Sequence, residues 1–529
     1  AKQLAEWNPY DQNAVSSFFD PEWMFGVSDG FDIVIGNPPY ISTKDIGITD
    51  KNAYKVEFGF SDDTYNLFTF KGLSLLKEGG SLSYIIPKTF WTTQTKRNMR
   101  GLLLKYQIDY IFDTANPFES VMVDTCIVQV VKRSVPNDHK VNFLDGTKNL
   151  KEPFVFEPIK QSMFLNSVNS IIFKPTDLNL RIYELYNQKV KELFEQWWDK
   201  IDSSKKITKN QQELEAYRAS LKPGDVTLLG CLTEGGQGLA TANNGKYIAV
   251  RSSTKSAKNI RNTRPKKLAE AIKKKKVVVP EMADFADEKE FLDSLSEKEI
   301  ATLFDALKEK YGRDIFGQGY LYKIIEDSEL ANVDELSKEE KENGIDPSKN
   351  YYVPYDKGDK DGNRWYLETP FAIAWSKENV QFLKTNSGKK GQGMPVVRNP
   401  QFYFREGLCW SDINTTFLKC RKKAKSIHDV KSMSIFGVSE SVKEDYIITL
   451  VNSTFISYYV DNFVNNTQTF QINDARQLPV IIPRKEENEQ AVKFVTKAIR
   501  IKKDAVLDNE SLDTIQKEVD LYVEKLYHL

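Results

Sequence analysis

The chain has 529 residues, 40% of them hydrophobic and 28% charged, with a mean hydropathy of −0.49, which leaves room for two to four domains with an ample buried core. Its 74 basic residues balance 74 acidic ones, so a reading as a nucleic-acid binder has to rest on local clusters. No run of about 18 apolar residues crosses a membrane as a helix, and three histidines with four cysteines outside any Cys-x-x-Cys spacing argue against zinc and histidine-triad chemistry.

In chain order, residues 1–150 read as α/β. Phe31-Asp-Ile-Val-Ile-Gly36 is a short apolar run ending in a turn, the pattern of a buried parallel strand. A helix is predicted from Thr64 to about Leu76, stopped by Gly79 and Gly80, with a strand over Ser81–Pro87 after it. Ile108–Asp113 and Asp124–Val131 supply two more strands, and the alternation predicts a partial doubly wound, Rossmann-like sheet. Residues 151–224 read as a connector, helical over Leu178–Trp198 and closed by Lys222-Pro-Gly224. From 225 to 484 short strands rich in Gly, Asn and aromatics predict a mixed α+β domain, interrupted by a charged, helical insertion at about 281–345. Residues 485–529 carry Val492, Val495, Ile499, Ile515, Val519, Val523 and Leu526 at helical spacing, a C-terminal helix or helix pair. Cys126, Cys231, Cys409 and Cys420 suit a reducing, cytoplasmic compartment.

The segment that carries chemistry is Asn37-Pro38-Pro39-Tyr40, just past a strand end, where open α/β sheets bind their ligands. Two prolines stiffen the backbone. The Asn37 carboxamide oxygen and the Pro38 carbonyl are two neighbouring acceptors, which matches the two N–H donors of an exocyclic amine, and Tyr40 suits stacking on the attached ring. Asn-Pro-Pro is also an ordinary turn; the preceding strand and Gly36 favour the functional reading.

Phe31-Asp-Ile-Val-Ile-Gly-Asn-Pro-Pro-Tyr40 resembles motif IV of the amino-methyltransferases that make N6-methyladenine in DNA. Asp63-Thr-Tyr-Asn-Leu-Phe68, Gly79–Pro87 and Pro117-Phe118 through Val128 resemble motifs V, VI and VIII. The whole is similar to the Eco57I-type restriction–modification polypeptides and their relatives in phage exclusion, in which a methylase precedes a TaqI-like target-recognition domain. The resemblance implies that Asn37 and Pro38 hold the target N6, that Tyr40 and Phe118 sandwich a flipped adenine, and that S-adenosylmethionine donates the methyl group. Phe118 fits a core position equally well, and Asp20, which falls where the family places a contact to the cofactor's adenine, fits a turn or helix cap. The glycine-containing cofactor loop and the ribose-binding acid have no counterpart in the 36 residues before Asn37. The expectation is therefore that an upstream segment or partner chain completes the methylase, and that any nuclease lies upstream too.

Residues 251–276 hold eleven basic residues against Glu270, among them Lys255, Lys258, Arg261, Arg264, Lys266 and Lys267. Such a cluster suits backbone phosphates of double-stranded DNA, or a solvated surface helix. Gly235–Tyr247 resembles the loop that opens the family's recognition domains, with Gln237, Thr241 and Asn243 open to phosphates or base edges and its glycines equally suited to tight turns. Arg405 and the basic stretch at Arg421 follow in a second aromatic-rich segment that also resembles the recognition half. The leading reading is a site-specific adenine methyltransferase; the alternative is a DNA-binding specificity module idle on its own. Methyltransferases acting on protein glutamine or RNA share Asn-Pro-Pro-Tyr, but the long recognition region speaks against them.

Overall fold

Apolar residues leading up to Asn37 build the parallel strand that the sequence predicts, but not a buried one: none of Phe31–Gly36 is buried, because the strand lies at the edge of the described sheet. The structure is a computed structural model. It describes residues 21–118, 123–147, 154–201, 208–312, 315–316, 322–359, 363–413, 417–504 and 509–529. Two units are distinguished, Ala1–Lys191 with Val460–Thr467, and Glu192–Tyr459 with Gln468–Leu529.

The first unit contains β1 (Phe31–Gly36), β2 (Leu76–Pro87), β3 (Gln107–Ala115), β4 (Thr125–Val131), β5 (Lys140–Asp145) and β6 (Glu157–Lys160). Their order in the sheet is β1-β2-β4-β3-β5-β6. β1 and β2 are parallel, as are β3 and β5, whereas β4 runs antiparallel between β2 and β3. The sheet is thus mixed, with β4 antiparallel to both of its neighbours. Leu82, Ile86, Ile108, Ile111, Val128, Val130, Val141 and Phe143 bury one core with Phe90, Met99, Leu103, Phe164 and Ile172.

Two boundaries differ from the sequence reading. The helix Thr64–Leu75 passes directly into β2, and Gly79, at φ 79°, lies inside the extended segment instead of ending the helix. The unit also runs beyond residue 150, because β6 and the helix Gln161–Asn166 complete it. Segment Val460–Thr467 belongs to this unit although its flanking residues belong to the other. There Phe463 stacks on Phe173 (5.3 Å), Asn179 Nδ2 donates to Asn462 Oδ1 (3.1 Å), and Asn466 Nδ2 donates to the Lys88 carbonyl (2.9 Å).

The second unit contains β7 (Val226–Leu228), β8 (Thr233–Gly236), β9 (Ile248–Arg251), β10 (Lys323–Ile325), β11 (Tyr352–Asp356), β12 (Phe371–Ala374), β13 (Arg405–Ser411), β14 (Cys420–His428), β15 (Ser432–Gly437) and β16 (Pro479–Ile481). Eight of them form one sheet, ordered β10-β9-β12-β11-β14-β13-β15-β8, and β16 pairs with β7. The insertion begins with helices Glu288–Ser294 and Glu297–Tyr311, packed through Phe291, Leu292, Ile300 and Phe304 onto the basic helix Lys255–Lys273. Its later part returns to the sheet as β10, so it is not helical throughout. The C-terminal helices Lys485–Lys503 and Asn509–Leu526 bury Val495, Ile515, Val519 and Val523 as their spacing predicts. All four cysteines are buried free thiols.

Candidate active site

The parallel pairing of β1 and β2 puts Asn37 and Lys88 at the same edge of the sheet, and the register of β3, β4 and β5 brings Asp113, Thr125 and Asp145 to it. This is the carboxyl edge at which ligands of such sheets bind. Asn37 is exposed, Pro38 buried and Tyr40 half-buried. The Tyr40 hydroxyl lies 2.9 Å from Asn37 Oδ1 and 3.0 Å from the Ile85 carbonyl, so its one proton is shared between two acceptors. Because the hydroxyl donates, it orients the carboxamide with oxygen toward Tyr40, and a second lone pair on that oxygen remains for another donor. Burial, then Cys126, raises the Tyr40 phenol above its ordinary value, which keeps the donor protonated.

A buttress beneath the loop holds this geometry. Thr64 Oγ1 donates to the Pro39 carbonyl (2.5 Å) and accepts from Ile41 N (3.0 Å). Asp63 accepts from Thr43 N (2.8 Å) and Thr43 Oγ1 (3.0 Å) and pairs with Lys96 (2.6 Å), which also pairs with Asp62. Burial pushes the Asp63 carboxyl up, but Lys96 and Thr43 outweigh it and hold it below the usual carboxylate range. Lys96 sits 5.2 Å over the Tyr65 ring, and Tyr65 meets Tyr40 edge-on at 6.4 Å. Arg100, fully buried, donates to the carbonyls of Phe90, Thr93 and Asn169 and so pins the turn after β2. Lys88 joins Asp113 (3.4 Å) and Asp124 (3.1 Å), and Lys174 joins Asp113 (2.8 Å) and Asp145 (2.9 Å). Of these residues the sequence reading singled out only the Asp63 segment. Lys96, Arg100 and Lys88 escaped it, since each acts on partners distant in sequence.

Phe118 lies past β3 near this edge, half-buried, with its amide donating to Asn116 Oδ1 (3.3 Å) and its ring in no aromatic pair among the described residues. Asp20 lies outside the described residues. Among the described residues no group of His, Cys, Asp and Glu has the geometry to hold a metal, and no helix is long and apolar enough to cross a membrane.

In the second unit the expected DNA contacts separate into two sets. Lys255, Lys258 and Lys266 are exposed on one face of the helix Lys255–Lys273, whose Ala257, Ile260, Leu268 and Ala271 face the core. Lys267 is half-exposed and pairs with Glu270 (3.6 Å). Asn243 is half-buried. Of the other residues, Arg264, Arg421 and Thr241 are buried, Arg261 and Arg405 are ion-paired and partly exposed, and Gln237 is half-buried. Arg264 is buried and donates to the Tyr322 carbonyl (2.5 Å), and Arg421 is buried against Asp356 (2.6 Å). Arg264 was expected as a phosphate contact and Arg421 as a nucleic-acid contact, and burial of both side chains corrects those expectations. Arg261 pairs with Glu297 (2.5 Å), and Arg405 pairs with Glu234 (2.5 Å) and lies 4.7 Å over Phe436. Thr241 is buried and donates to Asn244 Oδ1. The Gln237 carbonyl accepts from Asn399, and a Cβ on Gly238 would meet the His428 carbonyl at 1.8 Å. That glycine serves close backbone packing.

Comparison with known proteins places the same segment. Residues 2–119 match the family model of the Eco57I restriction-modification methylase. The type II methyltransferase M.HincII of Haemophilus influenzae is 24% identical over 150 residues, which cover 26% of this chain and 30% of that protein. The adenine-specific methyltransferase BrxX of Escherichia coli is 25% identical over 142 residues, covering 26% of this chain and 11% of that protein. The chain thus aligns with under a third of the length of each of these relatives. Among solved structures, the type IIL restriction-modification enzyme MmeI in complex with DNA superposes with a TM-score of 0.47 at 9% identity, over 94% of this chain and 54% of that one.

Proposed function

We propose, from the membership of residues 2–119 in the Eco57I restriction-modification methylase family, that this chain grips the target amine in an adenine-N6 DNA methyltransferase and carries a DNA-recognition region after it. The observation that supports this most is the pairing of an exposed Asn37 carboxamide, oriented by Tyr40, with the adjacent Pro38 carbonyl at the carboxyl edge of β1. Two acceptors take the two N–H groups of adenine N6, draw electron density onto nitrogen, and fix it for in-line attack. The base has to leave the duplex to reach them, and in this reading Tyr40 and Phe118 are the rings that would sandwich it. S-adenosylmethionine supplies the methyl group when bound. The amine held by Asn37 and the Pro38 carbonyl would accept that methyl group and give up a proton. The adenine-specific relative BrxX supports the choice of base.

Among the described residues β1 is an edge strand of its sheet, and its Ile33 and Ile35 are 68% and 79% exposed. An uncovered apolar face and an unpaired strand edge fit an upstream segment or partner chain that extends the sheet and holds the cofactor. The chain alone then binds duplex DNA and acts as a specificity module, and it methylates only when that segment is supplied. The test is transfer of labelled methyl from S-adenosylmethionine to duplex DNA by the chain with and without the segment preceding it. Label in N6-methyladenine, lost by at least about 100-fold in Asn37→Ala with duplex affinity kept, is the expected result. Label in cytosine, RNA or protein, or an Asn37→Ala variant of full activity, overturns the reading.

A further inference from the structure

A second site lies in the recognition unit. An open cleft of about 730 Å³ has Asn243 and Gln392 among its walls, with Phe382, Tyr311, Ile315 and Met394 supplying apolar surface between them. Ile315 also lines a neighbouring cleft of about 240 Å³, whose other walls include Lys276 and, paired with Glu270, Lys267 and Lys274. The two clefts adjoin at Ile315, one lying by the C-terminal end of the basic helix and the other by the loop at 387–394. Lys246 sits 4.8 Å over the ring of Phe382, in the wall of the larger cleft. The loop there reads Ser387-Gly-Lys-Lys-Gly-Gln-Gly-Met394, with Gly388, Gly391 and Gly393 all at positive φ and Lys389 and Lys390 exposed. Positive charge thus stands at both margins, and the middle is aromatic and amide.

The two carboxamides differ from others in the same unit. Asn399 donates to the Gln237 carbonyl, Asn379 to the Ala374 carbonyl, and Asn452 bonds Cys420 through both its amide atoms. Those amides are part of the fold. Asn243 starts the short helix Asn244–Tyr247 without capping it, and neither its side chain nor that of Gln392 is hydrogen-bonded among the described residues. Each presents one acceptor and two donors to the cleft, the arrangement that reads adenine through its N6 and N7 edge. An apolar small molecule would leave these groups and the lysine margins unmatched. The phosphates of a duplex complement the lysines on both sides.

We infer that this pair of clefts is the base-reading groove of the recognition unit, with Asn243 and Gln392 as sequence-determining residues and Lys246, Lys389, Lys390 and Lys276 as phosphate contacts. The inference rests on the DNA-binding part of the function proposed above and adds where, and through which atoms, sequence is read. The experiment is selection of bound duplexes from a random-sequence pool by the whole chain, followed by affinities for selected and scrambled duplexes over a range of salt. The Asn243→Ala/Gln392→Ala double variant should lose discrimination between the two by at least about tenfold while keeping its affinity for scrambled duplex. Lys389→Ala/Lys390→Ala should weaken both equally and lower the salt slope by about 2. The isosteric Asn243→Asp and Gln392→Glu variants guard against misfolding and should shift the selected sequence. A double variant that selects the same sequence with the same ratio overturns the inference. Wild-type binding without sequence preference also overturns it while leaving the DNA-binding reading intact, and absence of any duplex binding overturns both.

Discussion

Both units contain clusters of ionised side chains, but they use charge in opposite ways. In the first unit the charges stand at strand ends. Lys96 ties Asp62 and Asp63 beneath the Asn37 loop, and Lys88 ties Asp113 to a half-exposed Asp124. Water reaches part of each network, so the desolvation cost is modest and the bonds serve to hold a loop open to a ligand. In the second unit Asp356, Arg421, Lys423, His428, Cys409 and Ser432 lie wholly inside the sheet. Asp356 accepts from Arg421 (2.6 Å), Ser432 (3.1 Å) and the Cys409 thiol (3.2 Å), while Lys423 donates to three backbone carbonyls. Burial alone would push the Asp356 carboxyl up; Arg421 and Lys423 hold it down. Such a network fixes a core and offers nothing to a ligand. A basic residue near a recognition loop is therefore informative only once its burial is known.

The comparison predicts unequal costs for breaking one ion pair in each unit. Arg421→Met leaves a buried, uncompensated Asp356 and should destabilise the second unit by about 4 kcal/mol in denaturant unfolding. Lys96→Met releases Asp63, 28% of whose side chain is exposed, and should cost only about 2 kcal/mol. Equal costs would break the distinction. Duplex affinity of the folded Arg421→Met fraction should match wild type, since the Arg421 side chain is buried.

Acid should separate the units as well. His428 is fully buried; burial, reinforced by Lys423, pushes its value down to about 3. The unfolded imidazole titrates near 6.5, so the unfolded chain takes up the proton first as pH falls. The stability tied to the neutral ring is complete above about pH 6.5 and is lost progressively toward pH 3, about 2 kcal/mol of it by pH 5. His428→Phe, which fits between Tyr403 and Phe436, should remove that part of the acid dependence of the second unit. A variant whose unfolding free energy changes with pH as wild type does between pH 7 and 5 would show that the buried imidazole is not its source.

How far the sequence reached follows from the range of the interactions. β1, the helix from Thr64, β3, β4 and the C-terminal helices rest on local periodicity, and local periodicity was enough to find them. The Asn37–Tyr40 loop is contiguous, so its acceptors could be read directly. The buttress could not be, because Lys96 reaches back 33 and 34 residues to Asp63 and Asp62 with no repeat to announce it. Arg421 misleads for a different reason. Within Cys420-Arg-Lys-Lys-Ala-Lys425 the basic residues look like a solvated tail, but a strand turns alternate residues to opposite faces, so Arg421 and Lys423 point inward while Lys422 between them remains exposed; the alternation ends at Lys425, which is exposed where the pairing with β13 loses its regular register. Only the neighbouring strands decide which parity is buried.

The smallest expected effect concerns Asn466, which comes from the far end of the sequence yet belongs to the first unit. Its Oδ1 accepts from Thr92 Oγ1 (2.9 Å), its amide donates back to the same hydroxyl (2.9 Å), and its Nδ2 holds the Lys88 carbonyl (2.9 Å). Lys88 follows β2, the strand whose Ile85 carbonyl accepts from Tyr40. Asn466→Ala removes two side-chain bonds and should cost about 1–2 kcal/mol, with faster amide exchange over residues 85–93 and no change in duplex affinity. Asn466→Asp keeps the acceptor for Thr92 but loses the donor to Lys88. If the Lys88 bond is what steadies the end of β2, the Asp variant should exchange there as fast as the Ala variant; if the Thr92 bond suffices, it should exchange as slowly as wild type. Unchanged exchange in both variants would mean that the returning segment passes over the candidate active-site edge without supporting it, and that β2 and its buttress hold Tyr40 unaided.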